Sequence, residues 1–247
     1  MRTEALVERL GRDLRPVRPR SVLREAGLLL LLGVVEIAAF LSIGFMRPDI
    51  SKAMEVPSFW WKLTSTGLIA VLGASIAILS IDPVRSPRRG LHQILVCIAA
   101  IFASGWIIDA AHGGLADLLI RLDWKQGLQC VGTIVALSIP PAIGIGVVIR
   151  HGAPTDRGGT ALAAGLSCAA WGAFVFAFAC PVDDPLFIAA WYTVACTIVT
   201  AAGRGTSNRN RASDVSRAER GSFAVRSRLA FKRARARSRV GGGGAHR

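Results

Sequence analysis

Residues 26–45, AGLLLLLGVVEIAAFLSIGF, run for twenty positions with one ionisable side chain, Glu36. A helix of that length spans about 30 Å, the thickness of a bilayer's hydrocarbon core. A soluble helix would need a polar face, and this stretch has none. Its hydrophobic character continues through the chain. Five more apolar runs follow at 63–81, 91–108, 131–149, 160–179 and 186–202, none containing Asp, Glu, Lys or Arg. The chain has 247 residues and is 52% hydrophobic, with mean hydropathy +0.45. The links between runs are short. This predicts an all-α polytopic membrane protein, a bundle of six transmembrane helices filling residues 25–202. The first run is long enough to span and no small-residue cleavage site follows it, so it reads as an uncleaved anchor.

Arginine placement gives the orientation. Lys and Arg collect in cytoplasmic loops. Residues 1–24 hold seven Arg, and the second and fourth links hold Arg85, Arg88, Arg89, Arg150 and Arg157. The other links carry Asp49, Glu55, Asp109, Asp117, Asp123, Asp183 and Asp184, with Arg47, Lys52, Lys62, Arg121 and Lys125. Both termini are therefore expected in the cytoplasm, and Trp60, Trp61, Trp106 and Trp124 at the outer interface. The tail, 203–247, has thirteen Lys and Arg against two acids, +11 of the formal +14. It lacks apolar periodicity and reads as a disordered cytoplasmic segment contacting anionic headgroups of the bilayer. Neither aromatic interleaving nor a fold supports direct nucleic-acid binding.

Two cysteines stand out on the outer side. Cys130 lies 24 residues before Pro154, the centre of the link between the fourth and fifth runs, and Cys180 lies 26 after it. In a straight antiparallel hairpin their depths differ by about 3 Å. Two thiols at one level, in a compartment where disulfides persist, read as a candidate disulfide pair or as two small interfacial hydrophobes. Equal depth does not establish that they face each other. Asp183, Asp184 and His112 share that side and could complete a metal site with Cys130 and Cys180. No resident cofactor is expected. Carboxylates beside Cys180 are expected to disfavour its thiolate. Cys97, Cys168 and Cys196 fall inside runs and read as packing residues.

Four other features call for a role. Glu36 is an intramembrane acid, expected to be hydrogen-bonded to a neighbouring Ser or Thr such as Thr66 or Ser75, or to be functional. Ala161, Gly165, Ala169, Ala173 and Ala177 put a small residue at every fourth position of the fifth run, inviting close helix approach. Pro140 and Pro141 predict a kink in the fourth. Ahead of the first run, Leu6, Leu10 and Leu14 form one stripe of a short amphipathic helix ending before Pro16, with Arg15 and Arg18 following. Such a helix is marginal alone and must dock on a partner protein, the membrane surface or the bundle itself; residues 1–24 are the candidate partner-binding segment.

No hydrolase elbow, P-loop, dinucleotide fingerprint or HExxH is present, and the chain does not read as an enzyme. The stretches DLRPVRPR (13–20), MRPDI (46–50), SIPPAIGIGVVIRHGAP (138–154) and CPVDDPLFIAAWY (180–192) resemble the NrsF family. Those are bacterial six-helix inner-membrane proteins acting as anti-sigma factors for extracytoplasmic-function sigma factors. The resemblance covers residues 5 to 202. It implies a sigma factor held at the cytoplasmic face and released when outer thiols, Cys130 and Cys180 here, meet heavy metal or oxidative stress. A membrane thiol-redox protein and a small transporter are the alternatives.

Overall fold

The computed structural model describes residues 21–80, 87–110, 122–150 and 156–206. Every regular element among them is helical: α1 (Val22–Ser42), α2 (Ile50–Ala53), α3 (Pro57–Leu79), α4 (Arg88–Ala110), α5 (Trp124–Leu137), α6 (Ile139–Arg150), α7 (Arg157–Phe176) and α8 (Pro185–Thr206). Five helices are long and apolar enough to cross a membrane, counting α5 and α6 as one span, Trp124–Arg150, together with α1, α3, α7 and α8. The run 91–108 falls on α4, which is 23 residues long.

Helix ends follow local chemistry rather than hydropathy. Ser21 caps α1 by accepting from the Arg24 amide, and Gly44 at φ +84° turns the chain out after it. Pro57 starts α3 six positions ahead of the apolar run, its fixed φ suiting the first turn. This brings Trp60, Trp61 and Lys62, expected in a loop, into the helix. Trp60 donates to the Met54 carbonyl and Trp61 to Ser104 Oγ on α4. Asp123 and Asp156 cap α5 and α7.

Packing centres on α7. About 67% of its apolar stretch is buried, against 39% or less for the other four spans. The expected small-residue stripe is buried at Gly165, Ala169, Ala173 and Ala177, while Ala161 is partly exposed. Small residues extend beyond it: Ala163, Ala164, Ser167, Ala170 and Gly172 are buried too. Thus α7 presents little bulk on several faces, and α3, α5, α6 and α8 all close on it. Ser167 Oγ donates to the Ala70 carbonyl of α3 at 2.7 Å, and Ser80 and Thr160 share a buried hydroxyl bond at 2.8 Å.

The predicted kink is a break. Between α5 and α6, Ser138 stands outside regular helix and its Oγ donates back to the Ile134 carbonyl at 2.7 Å. Pro140 and Pro141 lack the N–H groups that would have bonded to Ala136 and Leu137. Gly172 of α7 sits against this break. A Cβ there would lie 2.6 Å from Ser138 Oγ and 2.7 Å from the Ile134 carbonyl, so only glycine lets α7 approach.

By contrast, α1 buries only Gly33 and Phe40 and leaves Leu28, Leu30, Leu31, Val34 and Val35 exposed, as suits a lipid-facing helix. Its Glu36 does not meet Thr66 or Ser75, whose hydroxyls serve carbonyls of their own helix. The partner is Trp171 of α7, whose indole N–H donates to Glu36 Oε2 at 3.0 Å. Gly33 makes room for that indole: a Cβ there would lie 2.6 Å from the ring.

Candidate thiol site at the α7–α8 turn

After Ala177 caps α7, residues 178–184 turn the chain into α8. The Cys180 amide donates to the Phe176 carbonyl at 2.9 Å, which holds the thiol beneath the end of α7. Asp184 Oδ1 accepts from the Leu186 amide and its carbonyl from Ile188 N, so Asp184 starts α8, with Pro185 at its head. Cys180 is 0% exposed. It packs with Cys130, 2% exposed on α5, and Phe187 in one buried cluster, edged by Phe176, Val182 and Trp191. Both are thiols. The two sulfurs expected at one depth are therefore neighbours. Gly127, one turn before Cys130, leaves the space into which the Trp191 ring fits.

Two cations from elsewhere in the chain grip the turn. Lys62 on α3 has no exposed surface. Its Nζ donates to the carbonyls of Cys180 (3.3 Å) and Val182 (3.2 Å) and to Asp183 Oδ1 (2.7 Å), and stands 5.5 Å from the Phe59 ring centroid. Arg47, in the segment between α1 and α2, donates through Nη1 to the Cys180 carbonyl (3.2 Å) and Asp183 Oδ2 (2.7 Å). Its Nε and Nη2 hold Asp49 at 2.8 Å each, a two-pronged pair. In addition, the Arg47 amide donates to the Phe178 carbonyl. The Cys180 carbonyl thus receives both cations, and each Asp183 oxygen faces one of them. A buried lysine survives only with such a full set of acceptors.

These pairings set the electrostatics. The Arg47 hydrogen bond pulls the Asp49 carboxyl down to about 2, and Asp49 in turn raises Arg47 above its ordinary value. For Cys180 the sequence expectation reverses. The hydrogen bond from Cys130, and after it the Lys62 ammonium, hold the Cys180 thiol below its ordinary value against the opposing effect of burial. Asp183 was expected to act as a bare negative charge. It is paired with two cations, Arg47 and Lys62, so it does not act on Cys180 as a bare charge.

Metal chemistry finds few donors here. Asp183 is committed to Lys62 and Arg47, and Asp184 caps α8. Among the described residues no group of three or more His, Cys, Asp or Glu is placed to hold a metal ion. His112 lies outside the described residues, as do Leu6, Leu10, Leu14, Arg15, Arg18 and the tail from 207.

Sequence reasoning missed Lys62 and Arg47, which it read as loop charges. It also missed Tyr192, the single tyrosine of the chain, 5% exposed on α8. Tyr192 packs with Val131, Ile134, Ala173 and Ile188 in one buried cluster, beside Phe176 and Trp191, which also edge the thiols.

Comparison with known proteins bears on the whole arrangement. The family described as negative regulator of sigma F (NrsF) matches residues 10–210. The anti-sigma-F factor NrsF of Caulobacter vibrioides (strain NA1000 / CB15N) is 30% identical over 201 residues, covering 78% of this chain and 91% of the relative. No solved structure matches.

Proposed function

This chain belongs to the NrsF family of negative regulators of sigma F, and from that premise we propose that it is a membrane anti-sigma factor with a thiol sensor. The family match carries the reading, because it extends from the amphipathic N-terminal segment through the thiol turn to the end of α8. A sigma factor, of the extracytoplasmic-function class, is held at the cytoplasmic face of the inner membrane and kept from RNA polymerase. The role is regulatory rather than catalytic. Heavy metal or oxidant reaching Cys130 and Cys180 repacks the α5, α7 and α8 ends and releases it.

This reading needs α4 as a sixth span and both termini in the cytoplasm. Reporter fusions should then place Asn208 in the cytoplasm and Arg121 in the periplasm; finding both in one compartment would overturn the topology. The Arg-rich loops support this orientation.

Leu6, Leu10 and Leu14, with Arg15 and Arg18, are the proposed docking stripe for the sigma factor. A buried leucine anchor in such a helix-in-groove contact is worth about 1.5–3 kcal/mol. Leu10→Asp should therefore cut sigma co-purification at least tenfold at normal membrane level and switch on the target promoter without stress. Undiminished co-purification would remove the stripe from the interface.

A further inference from the structure

An acid inside a bilayer is costly, and Glu36 is the one ionisable side chain in the apolar run of α1. Among the described residues it has a single hydrogen-bond partner, the Trp171 indole of α7 at 3.0 Å, and its Oε1 is buried without any. The fit is shaped for that bond, since Gly33, one turn earlier, leaves the space the ring occupies. Elsewhere along the span α1 is held without direction. Leu29 and Leu32 lie against Gly144 of α6, an apolar contact that tolerates sliding. Apolar side chains facing lipid add no grip, because lipid tails are as apolar as they are.

From the indole a row of rings leads to the thiol turn. Trp171 and Phe174 have centroids 5.5 Å apart, and Phe174 and Phe178 meet edge to face at 5.7 Å. Phe174 rests on Gly67 of α3, where a Cβ would lie 3.3 Å from the ring. Phe178 belongs to the turn itself. Its carbonyl accepts from the Arg47 amide at 3.1 Å, and Arg47 and Lys62 both hold the Cys180 carbonyl two residues on. Arg47 also follows closely on α1, and Phe45 between them stacks on Phe40 at 5.5 Å. The thiol turn is thus tied to α1 at its outer end and, through the rings, along its length. At its other end α1 begins at Ser21, where the proposed docking segment joins it.

We propose that the Glu36–Trp171 hydrogen bond is a latch that fixes α1 in the resting protein, and that a rearranged thiol turn draws Trp171 off Glu36 and frees α1 with the segment ahead of it. This rests on the reading of residues 1–24 as the sigma-binding segment and names the contact that governs it. Packed rings shift as a unit rather than deform, so displacing Phe178 displaces Trp171. Once unlatched, α1 keeps only its sliding contact on α6 and its tie to Arg47. Glu36 is a positioning residue, acting on the docking segment through α1.

The test uses the full-length protein labelled with 5-fluorotryptophan in lipid nanodiscs. The chain has six Trp, and the Trp171 signal is the one lost in Trp171→Phe. It should shift in Glu36→Leu and return in Glu36→Gln, whose amide oxygen still accepts from the indole. It should also shift in Lys62→Met, which loosens the turn and leaves Glu36 in place; a latch unconnected to the turn would not respond. At equal membrane level and without stress, Glu36→Leu should retain about tenfold less sigma factor, the effect of one lost hydrogen bond with its donor left unpaired. Glu36→Gln should retain the wild-type amount. A Trp171 signal unmoved by Lys62→Met, or full sigma retention in Glu36→Leu, would overturn the proposal. The fluorine readout does not use the sigma factor. If the wild type holds no sigma factor while the Trp171 signal follows Lys62 and Glu36, the anti-sigma reading fails and the latch stands as a coupling of the turn to α1.

Discussion

A strain carrying Cys130→Ser and Cys180→Ser together is expected to lose the stress response of the target promoter completely while the protein stays in the membrane. The two thiols are buried against each other and against Phe187. Serine fits the space but closes no disulfide and binds no soft metal. Each single substitution should fail in the same direction, since one thiol does neither job. Cys97→Ala should do much less, because Cys97 lies on α4 away from the cluster. Loss of the pair should leave the sigma factor bound rather than free: Lys62, Arg47 and the small-residue surface of α7 supply the resting packing without sulfur. The readout is a promoter reporter with and without stress, with an immunoblot for protein level. A full wild-type response in the double variant would return the turn to the status of an interfacial loop.

The second large effect concerns the cation clamp. Asp183→Ala strands Lys62, a fully buried ammonium left with two carbonyls, and is expected to cost about 3–5 kcal/mol. Lys62→Met should cost less, because Asp183 keeps Arg47 and Arg47 keeps Asp49. Removing both charges with Lys62→Met and Asp183→Asn should recover part of the loss, since no lone buried charge remains. Such non-additivity is the signature of direct coupling. Thermal unfolding in detergent measures all three. An Asp183→Ala protein as stable as wild type would mean that the clamp holds nothing.

Hydropathy made the helices legible because a bilayer demands long apolar ones, and each run fell on a helix except 131–149, which is shared by α5 and α6. What hydropathy could not place were the ends. Pro57 was the available signal that α3 begins before its apolar run; using it would have carried Lys62 into the helix. Its partner Asp183 lies 121 residues away, so burial of that charge depends on tertiary packing that no local window sees. The same blindness reversed the expected influence on Cys180: CPVDDP shows two carboxylates, while the cations that offset them come from α3 and the α1–α2 segment. Depth arithmetic did better for Cys130 and Cys180, because an antiparallel hairpin fixes level from chain length alone. It worked despite the break at Ser138. For Glu36 the sequence offered Ser and Thr as partners; the indole of Trp171 reaches it only because Gly33 leaves the space.

The central claim is that chemistry at Cys130 and Cys180 frees a sigma factor on the other side of the membrane. Its most direct test is to purify the tagged protein from membranes before and after stress and measure the sigma factor that comes with it. The account predicts that the sigma factor leaves the wild-type protein after stress and stays on the Cys130→Ser, Cys180→Ser variant. A wild-type protein that keeps its sigma factor while the target promoter fires would contradict it.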